Sequence, residues 1–141
     1  MNKKILISLL YLLILAGTAH AVLRVTDLRT EQLKNPLGID IRHPRLGWRI
    51  ESDEQNVMQT AYHILVASSP ELLAQGKGDC WDSGKVKTDA SQWITYQGKT
   101  LKCNAPYYWK VKIDTNKGAT NWSVPAFWIT GLFNEADWQG Q

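Results

Sequence analysis

The chain has few residues of the kinds that build metal centres and redox sites. It contains two cysteines, Cys80 and Cys103, and three histidines among 141 residues. The cysteines do not form a C-x-x-C pair and the histidines are scattered, so the sequence predicts no metal site. It also lacks a glycine-rich phosphate loop, a Rossmann fingerprint and a nucleophile elbow. These absences argue against metalloenzymes, nucleotide-dependent enzymes and serine hydrolases, and we expect no cofactor.

Long apolar runs are also missing, apart from a short one at the start of the chain. Two lysines precede an almost wholly apolar run over 5–16, and Ala19 and Ala21 have the spacing of a cleavage site. The run is shorter than the ~20 residues that a membrane-spanning helix needs. This pattern predicts a secretory signal peptide over residues 1–21, cut after Ala21. We therefore expect a periplasmic or secreted protein with no membrane attachment after cleavage.

Charge of one sign is not in excess. The chain has 16 basic and 13 acidic residues, and two of the basic ones lie in the predicted signal peptide. The remaining part is nearly neutral and has no basic stripe, so we expect no nucleic-acid partner. Residues 22–141 are enough for one domain with a hydrophobic core.

The mature part is rich in alternating apolar and polar residues. The clearest alternation covers 107–114, and the runs 46–51 and 62–67 repeat it. A period of two with one apolar face indicates half-buried antiparallel strands. About seven short strands separated by turn residues predict an all-β sandwich. Weaker strands are predicted at 23–28, 92–96 and 126–130.

Three connections have recognisable chemistry. The segment 69–76 begins with a serine and a proline and ends with a glycine, which predicts one short connecting helix. The polar segment 53–56 predicts a hairpin that joins the strand at Trp48 to the strand at Ile64. The residues Asp-Ser-Gly at 82–84 predict another turn.

Tryptophan is the abundant aromatic residue, with seven copies against two of phenylalanine. Trp48 and Trp109 lie on the apolar faces of predicted strands, so we expect them to oppose each other in the core. Tyr107 or Tyr108, at the entry to a late strand, is predicted to form a tyrosine corner.

Four further tryptophans, Trp81, Trp93, Trp122 and Trp138, could stack on sugar rings. Trp81 and Trp93 are the first candidates for a substrate-binding role. The alternative is that these rings pack at an end of the sandwich or at an interdomain contact. The carboxylates lie mostly in predicted turns, and no pair has the placement that glycoside hydrolysis needs. The sequence therefore predicts no catalytic residue.

The two cysteines have two interpretations after export to an oxidising compartment. Cys80 and Cys103 form a disulfide if their geometry allows it. Otherwise they are two small, partly buried thiols.

A series of short motifs across residues 23–138 resembles the N-terminal fibronectin-III-like module of bacterial α-L-rhamnosidases. Each motif alone has little specificity, but the order in which they occur is specific. The motifs are Leu23-Arg24-Val25, Asn35-Pro36-Leu37-Gly38-Ile39-Asp40, Pro44-Arg45-Leu46-Gly47-Trp48, Gln59-Thr60-Ala61-Tyr62-His63-Ile64-Leu65-Val66-Ala67-Ser68-Ser69, Trp81-Asp82-Ser83-Gly84-Lys85-Val86, Tyr108-Trp109-Lys110-Val111-Lys112 and Trp122-Ser123-Val124-Pro125-Ala126-Phe127-Trp128.

The resemblance implies an immunoglobulin/fibronectin-III-like antiparallel β-sandwich over 22–133, with 134–141 as the start of a connector to a missing following domain. In that family the module precedes carbohydrate-binding-like β domains and an (α/α)6 barrel. The barrel holds the catalytic glutamates and inverts configuration at terminal α-L-rhamnose. No part of the barrel is in this sequence, so no catalytic residue can be assigned.

The resemblance therefore implies a noncatalytic module of a secreted α-L-rhamnosidase, inactive alone and belonging to a longer or truncated gene. Its expected partners are the following domains of the parent enzyme and rhamnose-containing glycans. The alternative is a free-standing carbohydrate-binding or protein-interaction β-sandwich.

Overall fold

The computed structural model of the protein describes residue 17 and residues 21–138. The predicted signal peptide at 1–21 lies almost wholly outside the described residues. Within them, no helix combines the length and the apolar character that crossing a bilayer requires.

The described residues form two β-sheets. Their strands are β1 (Leu23–Thr30), β2 (Leu37–Ile39), β3 (Arg45–Ser52), β4 (Gln59–Ala67), β5 (Trp81–Val86), β6 (Ile94–Thr95), β7 (Pro106–Thr115), β8 (Gly118–Ala119) and β9 (Ala126–Thr130). The first sheet has the order β1-β3-β6, and the second has the order β2-β9-β7-β4-β5 with β8 beside β7. Neighbouring strands are antiparallel except β2 and β9, which are parallel. The predicted sandwich is confirmed, and the short strands β2 and β8 bring the number to nine.

The core lies between the two sheets and follows from the alternation in the sequence. On β7 every second residue from Tyr107 to Ile113 is buried, as the period of two predicts. Trp109 of β7 is fully buried, and Trp48 of β3 is buried from the opposite sheet. The Trp48 ring meets Tyr62 edge-on at 5.4 Å between centroids, which joins the two sheets. Both tryptophans are therefore core residues, as predicted.

A smaller cluster lies on the outer face of the second sheet. Leu65 and Ala67 of β4 point away from the main core and are buried under Leu73 of the short helix α1 (Pro70–Ala74). Ser69 caps this helix, since its side-chain oxygen accepts a hydrogen bond from Leu72 N at 3.2 Å. The predicted helix is confirmed, and it also shields part of the outer sheet face from water.

Two connections differ from the sequence predictions. The segment 53–56 does not form a hairpin, because β3 pairs with β1 and β6 while β4 pairs with β5 and β7. Its polar residues cross from one sheet to the other, and polarity alone does not distinguish these two kinds of turn. The residues 82–84 were predicted as a turn but lie inside β5, where the pairing with β4 shifts register and Gly84 has φ +59°.

The tyrosine corner is formed by Tyr107 and not by Tyr108. The Lys102 backbone N–H donates to the Tyr107 hydroxyl at 2.8 Å. Tyr108 points to the outer sheet face, where its ring lies 6.3 Å from that of Phe127. The alternation along β7 explains the difference, because odd-numbered residues face the core.

Candidate functional site

The structure brings Trp81 and Trp93 together at one cleft. A cleft of about 440 Å³ opens between β5 and β6, which are edge strands of the two different sheets. Trp81 begins β5, and Trp93 directly precedes β6. The cleft therefore lies on an open side of the sandwich, and its lining includes Tyr62, Trp81, Asp82, Val86, Trp93 and Gln97.

Trp93 is held in an unusual conformation. Its backbone has φ +60°, in the left-handed region that bulky residues avoid at a cost of roughly 1–2 kcal/mol. Its side chain remains 55% exposed, so burial of the ring does not compensate for this strain. Strain of this kind is found mainly at binding and catalytic sites.

An arginine supports the Trp93 ring. The Arg45 guanidinium lies 4.6 Å from the ring centroid, in a cation–π contact. Arg45 is itself fixed by Glu31, with Nη2 to Oε2 at 2.7 Å and backbone N to Oε1 at 2.7 Å. The Glu31 side chain is only 10% exposed, and its hydrogen bonds with Arg45 lower the pKa of this carboxyl. The ring thus rests on a bidentate ion pair.

Trp81 is fixed by the interior beneath it. Its ring is half-buried and meets the buried Tyr96 edge-on at 5.5 Å. The Tyr96 hydroxyl donates to Lys99 O at 2.7 Å, and burial raises its pKa. Gly98 packs so closely on the Cys80 carbonyl and Trp81 that a Cβ would clash with both. Trp81 therefore forms a rigid wall of the cleft.

The other two predicted tryptophans lie elsewhere. Trp122 is on the outer face of the second sheet, where Lys110 and Lys112 approach its ring at 5.0 and 4.8 Å and His63 at 5.1 Å. Trp138 ends the 3-10 helix Glu135–Trp138 and is 77% exposed. Neither residue lines the cleft between β5 and β6.

Several carboxylates of the described residues form ion pairs. Asp27, Glu31 and Glu51 each pair with arginine, and these contacts lower the carboxyl pKa in each case. Asp82 is the one carboxylate that lines the cleft, where its Oδ1 lies 2.6 Å from His63 Nε2. Two-carboxylate glycoside hydrolysis needs a second acid at roughly 5–10 Å. The lining of the cleft does not supply this second acid, and residues 21–138 hold no His, Cys, Asp or Glu cluster that could ligate a metal.

Both cysteines are free thiols in the structure. Burial raises the pKa of Cys80 to about 11. The Cys103 thiol donates to Asp137 Oδ2 at 3.3 Å. Their pairing in the exported protein stays a prediction.

The architecture and the sequence match a known domain family. The model of the family described as "Rha78A-like, N-terminal immunoglobulin domain" matches residues 25–134. The chain belongs to this family. The match confirms the resemblance indicated by the short sequence motifs, and it confirms the immunoglobulin-like fold.

Similar proteins are named α-L-rhamnosidases. One, from Streptomyces avermitilis, is 41% identical over 122 residues, which are 86% of this chain and 12% of that protein. A second, from Formosa agariphila, is 41% identical over 105 residues, or 74% of this chain and 11% of that protein. This family member thus spans only about an eighth of the length of its curated relatives.

Solved structures give the same picture. The crystal structure of the Streptomyces avermitilis α-L-rhamnosidase complexed with L-rhamnose superposes with a TM-score of 0.78 at 42% identity, over 83% of this chain and 11% of that one. The α-L-rhamnosidase from Dictyoglumus thermophilum has the same TM-score at 39% identity, over 82% and 13%. The immunoglobulin-like domain of this chain is therefore a small part of each larger protein.

Proposed function

We propose that this chain is the noncatalytic N-terminal β-sandwich module of a secreted α-L-rhamnosidase. The parent enzyme would remove terminal α-L-rhamnose from glycans or glycosides, using carboxylates in a following domain. In this proposal residues 22–133 form the module and 134–141 begin the connector. The module's role is structural, since it packs against the following domains and frames the approach of substrate.

The main support for the proposal is that the alignments cover a large fraction of this chain but a small fraction of each relative. The similarity takes in most of this chain but only about an eighth of each rhamnosidase.

An activity assay tests the noncatalytic part of the proposal. The purified chain is incubated with an aryl α-L-rhamnoside, beside a complete α-L-rhamnosidase and a heat-denatured sample. We expect release of the aryl group only from the complete enzyme. Turnover by this chain that disappears in Asp82→Asn would contradict the proposal and move the chemistry to the cleft.

The parentage is tested at the level of the gene. Reading the DNA beyond codon 141 is expected to reveal further rhamnosidase domains, in the same frame or separated by a frame shift. Unrelated DNA there would favour a free-standing domain.

Export is tested by the mass of the processed protein. Cleavage after Ala21 predicts a periplasmic or secreted product that begins at Val22. A chain that keeps residues 1–21 and stays in the cytoplasm would contradict the proposed localisation.

The alternative role, a free-standing carbohydrate-binding or protein-interaction domain, has one observation in its favour. Trp81 and Trp93 line the same cleft, with Asp82 and Gln97 beside them. This combination of aromatic and polar side chains is typical of small-molecule sites, and a sugar-binding cleft is also compatible with a module of a larger enzyme.

A further inference from the structure

We propose that the cleft between β5 and β6 is a saccharide site that prefers a 6-deoxyhexopyranose, with Trp93 as the platform on which the sugar ring stacks. The position of the site follows from the geometry of the cleft. The choice of L-rhamnose as the probe rests in addition on the proposed function.

The first argument is that Trp93 is built as a fixed, exposed surface. Arg45 lies over one face of its ring, and 55% of the residue is exposed. Glu31 holds Arg45 in place through a bidentate pair. A flat ring that is exposed yet immobile loses little conformational freedom on binding, which favours a weakly bound ligand such as a sugar. The C–H groups of a pyranose ring are suited to such an aromatic face.

The second argument is the division of the cleft into apolar and polar parts. Tyr62, Val86 and Ile94 supply an apolar floor, and Thr95 and Gln97 are exposed polar residues of the rim. A sugar with a methyl group at C6 can direct this methyl to the floor and its hydroxyls to the rim. A hexose with a hydroxymethyl group there would bring a hydroxyl against apolar side chains.

The third argument is a hydrogen-bonding residue at the margin of the cleft, where Asp82 is part of the lining. Asp82 Oδ1 accepts from Gly84 N at 2.9 Å and contacts His63. Its Oδ2 has no protein partner among the described residues, and 57% of the side chain is exposed. A carboxylate oxygen is a strong acceptor for sugar hydroxyls. The open backbone edges of β5 and β6 lie beside it.

The size of the cleft also fits this ligand class. Its volume of about 440 Å³ is near the lower end of the range for small-molecule sites, roughly 300–1,000 Å³. One sugar ring with part of a second is therefore the expected occupant.

The test compares two sugars that differ only at C6. L-Rhamnose carries a methyl group there, and L-mannose carries a hydroxymethyl group. The purified chain is titrated with each sugar while the seven indole N–H signals are followed by NMR. We expect a Kd for L-rhamnose of about 1–10 mM, and binding of L-mannose that is about 3–10-fold weaker. The largest shift is expected for the signal that disappears in Trp93→Ala.

Matched variants locate the site. Trp93→Ala is expected to abolish saturable binding and Trp81→Ala to weaken it. Trp138→Ala removes another exposed tryptophan that lies outside the cleft, so it should leave the Kd within about twofold. Circular dichroism confirms that each variant is folded.

Several outcomes would overturn the inference. Absence of saturation with L-rhamnose or methyl α-L-rhamnoside up to 100 mM would show that the cleft is not a saccharide site. Equal affinity for L-rhamnose and L-mannose would contradict the preference for a 6-deoxy sugar. A binding failure would leave the gene-level test of parentage unaffected. Conversely, L-rhamnose binding by a chain whose gene encodes no further rhamnosidase domain would keep the cleft and overturn the parentage.

Discussion

The interior tryptophans and the cleft tryptophan Trp93 differ in what fixes them. Trp48, Trp109 and Trp128 are at most 1% exposed, and the packing of both sheets determines their positions. Trp93 is more than half exposed and strained, and its ring is supported by Arg45. The interior rings hold the sheets together, whereas Trp93 gains little from burial. A residue that adds little to the fold yet is held rigidly in place is a candidate for binding.

Two of the interior tryptophans have an energetically unfavourable feature, a buried indole N–H group without a hydrogen-bond partner. Trp109 and Trp128 have indole N–H groups that are buried without a partner, while Trp48 donates to Gln59 Oε1 at 3.0 Å. An unpaired buried donor costs about 1–3 kcal/mol. Burial of an aromatic ring removes 150–250 Å² from water, or about 4–6 kcal/mol at 25 cal/mol per Å². Burial outweighs the missing hydrogen bond, so the rings remain inside.

The largest expected effect is a difference in stability between variants of an interior tryptophan and of the cleft tryptophan. Trp109→Ala leaves a cavity in the middle of the core and should lower the free energy of unfolding by about 3–5 kcal/mol. Trp93→Ala should lower it by less than about 1 kcal/mol, because the ring is exposed. Urea unfolding followed by circular dichroism measures both. Similar losses in the two variants would show that Trp93 is a structural residue after all.

A second comparison uses neighbouring tyrosines of β7. Tyr107→Phe removes the hydroxyl that accepts from Lys102 N, and we expect a loss of about 1–2 kcal/mol. Tyr108→Phe is the matched control on the outer face, where the change should be within about 0.5 kcal/mol. The same urea experiment applies. A larger loss at Tyr108 would contradict the assignment of the tyrosine corner.

Most of the interior could be predicted from the sequence because its signals are local. The alternation along β7 placed Trp109 and Tyr107 inside, and Ser69 with Pro70 defined the start of α1. Each of these signals lies within a few residues of the feature it specifies. The pattern therefore identified the core faces before the strand order was known.

The contacts that hold Trp93 at the cleft could not be predicted from local sequence patterns. Glu31, Arg45 and Trp93 come from three separate segments, and no periodicity links them. Four of the residues that line the cleft with Trp93 come from β5, whose Asp-Ser-Gly sequence is typical of a turn. The crossing between sheets at 53–56 could not be predicted for the same reason, because a polar segment does not indicate to which sheet the next strand belongs. The sequence indicates Trp81 and Trp93 as candidates for stacking on sugar rings, but their meeting at one cleft depends on the pairing of distant strands.

A third prediction concerns the ion pair beneath Trp93. The pKa of Glu31 is lowered by Arg45, so its contribution to stability is present above the unfolded-state pKa of about 4.3 and is lost as the pH falls through the folded-state pKa. Glu31→Gln should therefore lower stability at pH 7 by less than Tyr107→Phe does, and the difference from the parent should shrink below about pH 4. Urea midpoints from pH 7 to pH 3 measure this.

Glu51→Gln is the matched control for that experiment. Glu51 also pairs with an arginine, but both partners are largely exposed, with side-chain exposures of 64% for Arg24 and 47% for Glu51. Salt screens exposed pairs more strongly than partly buried ones. The effect of Glu51→Gln should therefore vanish in 0.5 M NaCl while that of Glu31→Gln persists. Equal salt sensitivity would argue that Arg45 is not firmly held.

The smallest expected effect has the opposite sign and tests the strain itself. Glycine adopts φ +60° without a Cβ clash, so Trp93→Gly should be more stable than Trp93→Ala by up to about 1 kcal/mol, reduced by the greater freedom of glycine in the unfolded chain. Asn56, with φ +58°, is a control because asparagine visits this region readily. The glycine variant there should gain less over its alanine variant than at Trp93. If Trp93→Gly is instead the less stable variant, the left-handed backbone is not a source of strain. The contrast between a core that stabilises the fold and a cleft residue held against its preference would then no longer hold.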